Sequence, residues 1–296
     1  MSAFERAAGA RSWLFIPGDS EKKLAKGVGT AADILLIDLE DAVAESAKPA
    51  ARATVAEFLR TNQDQRDRLW VRINPLQGPH ALHDLAAIVD ARPGGVMLPK
   101  PRGRADVETL DHYLTALEVA AGDAPGTIAV IIVATETPQG MLATGSYEGV
   151  PRLAAMTWGA EDIATAIGAI ANRNADGAYE FPYQLARTFC LVGAAAASVP
   201  AIETIHGDFR DEAGLEAVAN EVRRAGFRGM LAIHPAQVDI INRAFTPSEA
   251  EVAAAREIVE LFAANPGAGT IGHKGEMLDL PHLTRAKAVL ARVAAT

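Results

Sequence analysis

Carboxylates that end apolar runs are the first chemistry this chain offers. In the stretch IIVATETPQGMLATGSYEGVPRLAAMTWGAED, Glu136 follows one short run, Ile131 to Ala134, and Glu161 and Asp162 follow another, Leu153 to Trp158. Both runs have the length and apolar content of buried strands. Glu136 and Asp162 are 26 residues apart, about one strand-helix-strand step, so parallel neighbouring strands would deliver both carboxylates to the same edge of a sheet. Two hard oxygen ligands at such an edge suit Mg2+ or Mn2+, which leave positions to water and substrate and need neither Cys nor His. The same carboxylates also read as two helix N-caps.

The elements that must position them recur along the chain. Strands are predicted at 12–16 (SWLFI), 32–39 (ADILLIDL), 69–74 (LWVRIN), 95–99 (GVMLP), 128–135, 154–158, 201–205 (AIETI) and 229–233 (GMLAI). Helical patterns fill the gaps, among them 21–27, 42–60, 81–91, 181–197 and 211–225. Eight strand-helix steps fit a (β/α)8 barrel, with an open doubly wound sheet as the competing α/β architecture. No GxGxxG follows the first strand and no GxxxxGK[ST] occurs, which removes the usual nucleotide signatures of that alternative. The barrel is predicted to occupy 1–245. Residues 246–296 form a C-terminal helical extension or lid: a helix at 247–264, a flexible glycine hinge at 265–275 and a last helix at 280–294.

In such a barrel the residues at strand C-termini share one bowl, here Asp38, Glu40, Asp41, Arg72, Asn74, Lys100, Glu136, Glu161, Asp162 and His234. Arg72 sits in an apolar strand, where its charge needs a carboxylate or an anionic ligand; Asp38 and Glu40 are internal candidates. A metal beside an arginine suits a small 2-oxo or 2-hydroxy acid, the metal polarising an oxygen and the arginine holding a carboxylate or a developing enolate. Glu40 and Asp41 are placed to orient metal-bound waters, with helix capping the competing reading for Asp41. Arg11, Lys22 and Lys26 surround the first loop, as ligands for phosphate or carboxylate or, for the lysines, as solvated surface. Lys100 reads as a carboxylate's partner rather than a Schiff-base amine. His234 reads as structural, and the other histidines form no zinc pair.

Composition narrows the class. The 296 residues are 49% hydrophobic with 28 basic against 37 acidic side chains, a net charge of -9 that offers no footprint for nucleic acid. Cys190 is the one cysteine, in an Ala-rich apolar segment, so it reads as a buried inert thiol and no intrachain disulfide forms. No apolar run reaches the length of a membrane span and the N-terminus carries no signal-peptide core, so a cytoplasmic enzyme is expected.

The tags RSWLFIPGDSEKKLAKG, ADILLIDLEDAV with Lys48 and Arg52, VRIN, VMLPK, ETPQG, WGAEDIA, IHPAQ and GEMLDLPHLTRA resemble, in order and spacing over about residues 11 to 290, the citrate lyase beta subunit-like enzymes, which include malyl-CoA and citramalyl-CoA lyases. The resemblance implies a (β/α)8 barrel working as a homotrimer or hexamer, with Mg2+ (or Mn2+) held by Glu136 and Asp162. Arg72 and Glu40 would serve the reaction, and Arg72, Arg11, Lys22 and Pro138 of ETPQG would meet the substrate. That substrate would be a coenzyme A thioester undergoing reversible Claisen cleavage to a thioester enolate and a 2-oxo acid. Asp279 in GEMLD matches an aspartate that acts on the enolate end, often from a neighbouring subunit, which gives the hinged tail a purpose. Two features depart from the pattern: Glu203, where many relatives carry Asp, and the insertion-like loop 172–183; both bear on specificity. The resemblance also admits a citrate lyase beta subunit acting on a group carried by an acyl carrier protein, and a thioesterase that admits water to malyl-CoA.

Overall fold

Eight short apolar segments pair in parallel, each with its sequence neighbour, and the last returns to the first. This computed structural model describes residues 1–295, and two compact units divide it, residues 1–242 and residues 243 onward. The chain opens with α1 (Ala3–Gly9), β1 (Ser12–Pro17), α2 (Glu21–Val28), β2 (Ile34–Asp38) and α3 (Lys48–Thr61). It continues through β3 (Leu69–Arg72), α4 (Ala81–Ile88), β4 (Gly95–Leu98), α5 (Arg104–Ala120) and β5 (Ala129–Val133). Next come α6 (Pro138–Leu142), β6 (Leu153–Thr157), α7 (Ala160–Ala166), α8 (Phe181–Ala196), β7 (Ala201–Glu203), α9 (Glu212–Ala225), β8 (Gly229–Ala232) and α10 (Ala236–Phe245).

The strand order β1 to β8 closes into a barrel, β1 registering Ser12 on Met230 of β8 and Pro17 on Asp38 of β2. Every residue of β2, β4, β5 and β8 is buried, as expected of parallel strands covered on both faces. Trp13, Ile34, Leu36, Trp70, Met97, Ile131, Ala155, Ile202 and Leu231 form a core cluster with Ala3, Ala7 and Ala10, so α1 packs against the barrel's strands. Trp13 and Trp70 meet edge to face at 5.2 Å.

The sequence reading missed α1, although its signal was present. Ser2 and Glu5 form a reciprocal capping box, the Ser2 side chain accepting from the Glu5 N–H and the Glu5 carboxylate from the Ser2 N–H. The helix expected from Ala42 begins instead at Lys48, after a 3-10 turn at Glu45–Ala47. Pro49 stands in its first turn, where a missing N–H costs nothing. Residues 39–44 are thereby left as a loop at the strand end.

From residue 243 onward, α10 ends and α11 (Glu249–Ala264), β9 (Thr270–His273), β10 (Glu276–Asp279) and α12 (Leu280–Ala295) follow. The 265–275 stretch is therefore not a structureless glycine hinge: it contains β9, which pairs antiparallel with β10, His273 opposite Glu276 and Thr270 opposite Asp279. Lys274 and Gly275 both have positive φ (49° and 84°), the two-residue arrangement that matches the twist of a tight hairpin. Lys274 Nζ lies 2.8 Å from Glu257 Oε2 on α11, tying hairpin to helix.

One buried ion pair fastens α5 to the strands that follow. Arg152, just before β6, donates from Nη1 and Nη2 to the two Glu118 oxygens at 2.9 and 2.8 Å and from Nε to Asp111. Glu118 also accepts from the N–H groups of Gly126, Thr127 and Ile128 ahead of β5. Replacing Arg152 by Met leaves a buried carboxylate without its counter-charge, so the urea-unfolding free energy is expected to fall by about 3–5 kcal/mol. An unchanged unfolding midpoint would contradict this account of the pair.

Candidate active site

β2, β3, β4 and β5 end beside one another, and a parallel barrel puts their C-termini at one end. Arg72 is the last residue of β3, in register with Asp38 at the end of β2. Its guanidinium grips Asp38 with both prongs, Nε to Oδ1 at 2.7 Å and Nη2 to Oδ2 at 2.6 Å, and its remaining nitrogen lies 2.9 Å from Glu40 Oε2. Phe15 covers the guanidinium, its ring centre 4.8 Å from Cζ. Burial works against the Arg72 charge, and the Asp38 bonds with the charges of Asp38, Glu40 and Asp41 more than restore it, raising its pKa. The internal pairing anticipated for Arg72 thus exists, with Asp38 as the main partner.

Lys100 joins the other carboxylates. It follows β4 with φ of 52°, a left-handed conformation uncommon for a residue with a Cβ. That turn points its N–H at Glu136 Oε2 (2.8 Å) while its ammonium reaches Glu40 Oε1 (2.7 Å) and Asp162 Oδ2 (3.3 Å). Burial opposes its charge too, and the Glu40 hydrogen bond with the charges of Glu40, Glu136 and Asp162 outweighs it, so Lys100 stays a cation. Lys100 is therefore a carboxylate's partner, as read from the sequence. Asp41 is largely exposed and stands 3.7 Å from Arg72 and 4.0 Å from Lys100.

Five carboxylates, those of Asp38, Glu40, Asp41, Glu136 and Asp162, thus share two cations. Glu136 feels the imbalance most. Burial, then the charges of Glu40 and Asp162, push it up to about 8 against the opposing N–H and charge of Lys100. Glu40 is raised as well, first by burial, with Arg72 and Lys100 pulling the other way. A divalent cation bound between these oxygens would remove the imbalance. Among the described residues no three His, Cys, Asp or Glu side chains form a ready-made metal cage. The donor set fits Mg2+, which is held by one or two carboxylates and keeps waters and substrate oxygens as its other ligands.

The backbone makes room for this arrangement. Gly159, ahead of α7, lies so close to Glu136 that an added Cβ would stand 3.0 Å from Glu136 Cγ and 3.1 Å from Oε1. Pro138 starts α6 behind the N-cap Thr137, whose hydroxyl accepts from the Gly140 N–H at 2.9 Å, so it borders the loop that carries Glu136.

Other expected residues are elsewhere. Arg11 was expected among substrate contacts, but it precedes β1 and so sits at the N-terminal end of the barrel, opposite the carboxylates. There Asp33 engages its N–H and its guanidinium at 2.8 to 3.0 Å. Lys22 is exposed in the first turn of α2 and does not line the adjacent cleft of 290 Å³; Lys23 and Lys26 do, with Phe15, Ile233, His234 and Pro235. His234 stacks on Phe209 at 4.6 Å and accepts from the Ala236 N–H, which is a structural role. Glu161 is exposed and accepts from Asn172. Cys190 is fully buried, and burial raises its thiol pKa. Asp279, in the second unit, ends β10 hydrogen-bonded to His282, which holds its carboxyl below the usual range.

The two departures from the expected pattern meet at one side chain. Trp158, the residue after β6, donates its indole N–H to Glu203 at 2.7 Å, and Tyr179 from the 172–183 loop packs edge-on against it at 5.1 Å. Glu203 is further held by Arg187 of α8 at 2.9 Å, beside a 650 Å³ cavity between α8 and α9. Trp158, the side chain they meet at, stands four residues ahead of Asp162.

Three comparisons bear on the chain. The model of the HpcH/HpaI aldolase/citrate lyase family matches residues 11–235. The chain is 34% identical to a citrate lyase subunit beta-like protein of Mycobacterium tuberculosis over 97% of this chain and 96% of that one. It is 33% identical to a (3S)-malyl-CoA thioesterase of Cereibacter sphaeroides over 96% and 95%. Among solved structures it resembles the protein CitE of Mycobacterium tuberculosis in complex with magnesium, acetoacetate and coenzyme A, with a TM-score of 0.79, 33% identity and coverage of 98% and 99%.

Gly159→Ala is expected to push Glu136 aside by a few tenths of an ångström and to weaken Mn2+ binding, read by electron paramagnetic resonance, by roughly tenfold. Affinity unchanged in that variant would show that the close approach of Gly159 to Glu136 has no part in holding a metal.

Proposed function

This chain belongs to the HpcH/HpaI aldolase/citrate lyase family, and we propose that it is a Mg2+-dependent carbon-carbon lyase acting on a 3-hydroxyacyl-CoA such as malyl-CoA or citramalyl-CoA. An acyl-CoA and a 2-oxo acid stand on the other side of the equilibrium. The observation that carries this reading is the gathering of Glu40, Glu136 and Asp162 around Lys100, with Arg72 alongside. The likeness to a relative that binds magnesium, a keto acid and coenzyme A supports it.

Glu136 and Asp162 would hold the metal, which when bound supplies a Lewis acid for the oxo-acid oxygen. The protein's own groups do the rest. Arg72, immobilised by Asp38, presents a fixed positive charge to the substrate carboxylate and to oxygen that becomes negative as the bond breaks. Lys100 and Glu40 brace one another, so the charge pattern around the reacting oxygens does not reorganise. In cleavage the hydroxyl oxygen becomes the oxo group as its proton passes to solvent, the carbon-carbon bond breaks, and the electron pair stays on the acyl-CoA fragment as a thioester enolate. Asp279 serves that fragment: its lowered pKa keeps it ionised, ready to take a proton from the acyl carbon in synthesis, and in cleavage it acts in its protonated form, giving that proton to the enolate carbon. Lys23 and Lys26 offer positive charge for the phosphates of coenzyme A at the cleft beside β1.

The reading extends to assembly and setting. A homotrimer or hexamer is proposed, in which Asp279 acts in its own or a neighbouring subunit, and a cytoplasmic site agrees with the buried free thiol of Cys190. No helix among the described residues is long and apolar enough to cross a membrane. Two alternatives share the site: a beta subunit that works on an acyl-carrier-bound group, and a malyl-CoA thioesterase, the latter favoured by the likeness to an enzyme of that name.

Purified protein given acetyl-CoA, glyoxylate and Mg2+ is expected to form malyl-CoA by mass spectrometry, and EDTA is expected to abolish it. Release of free thiol would mark the thioesterase, and absence of both products would point to another oxo acid or a carrier-bound substrate. Asp162→Ala is expected to lose at least a hundredfold of the metal-dependent rate with its circular dichroism intact. A fully active variant would remove Asp162 from the site.

A further inference from the structure

The acidic loop after β2 is held from behind by a buried lysine that the proposed chemistry does not use. Lys48, 7% exposed at the start of α3, has each ammonium proton matched by an acceptor: the carbonyls of Leu39 and Glu40, both at 2.9 Å, and Asn74 Oδ1 at 2.8 Å. Asn74 in turn donates to the Leu39 carbonyl (2.9 Å) and to Asp84 Oδ2 (2.6 Å). Fully buried Asp84 receives Arg52 Nε at 2.7 Å. The chain then runs outward from Arg52 to His80 and from His80 to Glu45.

Two opposite ties therefore fix residues 39–43. On one side the Asp38 carboxylate, itself clamped by Arg72, accepts from the N–H groups of Glu40 (2.8 Å) and Ala42 (3.1 Å). On the other, Lys48 draws in the two carbonyls. A loop this short has few ways to satisfy both, and the one it adopts aims the Glu40 carboxylate at Lys100 and Arg72. Without Lys48 the Glu40 carbonyl keeps only the 3.2 Å bond from the Val43 N–H. Burying an ammonium group is unfavourable unless its donors are used, and here two serve the backbone on which Glu40 hangs and the third serves Asn74, whose amide bonds the Leu39 carbonyl.

We propose that Lys48, anchored through Asn74, Asp84 and Arg52, is a positioning residue that holds Glu40 against Lys100 and thereby keeps the Lys100 ammonium, already 3.3 Å from Asp162, shared with Glu40 rather than drawn fully onto Asp162 and Glu136, the proposed metal ligands. The inference rests on the metal-site reading given above. Freed from Glu40, the Lys100 ammonium turns to Asp162, already 3.3 Å away, and to Glu136, with exposed Asp41 at 4.0 Å the remaining carboxylate, and at the first two it competes with a divalent cation.

Mn2+ affinity of the full chain, read by electron paramagnetic resonance without substrate, tests this in a double-mutant cycle. Removing a positive charge would by itself tighten binding of a cation. Positioning has the opposite sign: Lys48→Met is expected to weaken Mn2+ binding by tenfold or more, and Glu40→Gln by a similar factor. In the Glu40→Gln background the Lys48 substitution is expected to change affinity less than twofold. Lys48→Gln, which keeps two donors, is expected to fall between Lys48→Met and the parent, and it serves where the Met variant does not fold. Tighter or unchanged binding in the Lys48 variants, or additive losses in the double variant, would overturn the positioning role and leave the metal site standing. Absence of Mn2+ binding by the parent protein would overturn the metal-site reading and this inference with it.

Discussion

At the C-terminal end of the barrel five carboxylates share Arg72 and Lys100, and that inequality of charge is what the surrounding structure exists to hold. Like charges brought this close repel, and burial raises the cost further, which is why Glu136 is driven up to about 8. Such a cluster persists only when many contacts over-determine it. The contacts are visible: the bidentate Asp38 clamp on Arg72, the left-handed turn at Lys100, and the bare Cα of Gly159 against Glu136. A divalent cation at Glu136 and Asp162 would turn the repulsion into binding energy, which is the physical basis of the proposed lyase chemistry.

The barrel supplies rigidity, and the loops supply direction. Fully buried strands β2, β4 and β5 leave the strand ends no freedom to drift, so the short segments that follow them decide where each side chain points. After β2 that task falls to Asp38 from within and Lys48 from behind. After β6 it falls to Trp158, fixed by Glu203 and Tyr179, a few residues before Asp162. Both supports are ordinary hydrogen bonds in buried surroundings, where a missing partner costs more than a present one contributes.

Much of this was legible in the residues. Period and length located the eight strands, because buried parallel strands are continuous apolar runs, and acids at their ends marked Glu40, Glu136 and Asp162 before any coordinates. The pairing of Lys100 with carboxylates followed from the same logic. What escaped depended on direction. Arg11 stands near the first loop in sequence but on the far end of the barrel, since a strand separates its two ends by its whole length. The 265–275 stretch looked like a hinge because glycine signals freedom and tight turns alike; only the pairing of β9 with β10 tells them apart. Lys48 gave no local sign of its role, because its acceptors are carbonyls eight and nine residues back and an amide 26 residues on. The helix α1 is the opposite case, since the capping box of Ser2 and Glu5 is local and marks its start in the residues alone.

The central claim is that Glu136 and Asp162 together hold one divalent cation. Crystals of the full chain grown with Mn2+, measured at the manganese absorption edge, test it directly. The account predicts a single strong anomalous peak within about 2.0–2.3 Å of a carboxylate oxygen of each residue, the span of first-row divalent metal to oxygen bonds. A peak bound elsewhere on the protein, with none between these two carboxylates, would contradict it.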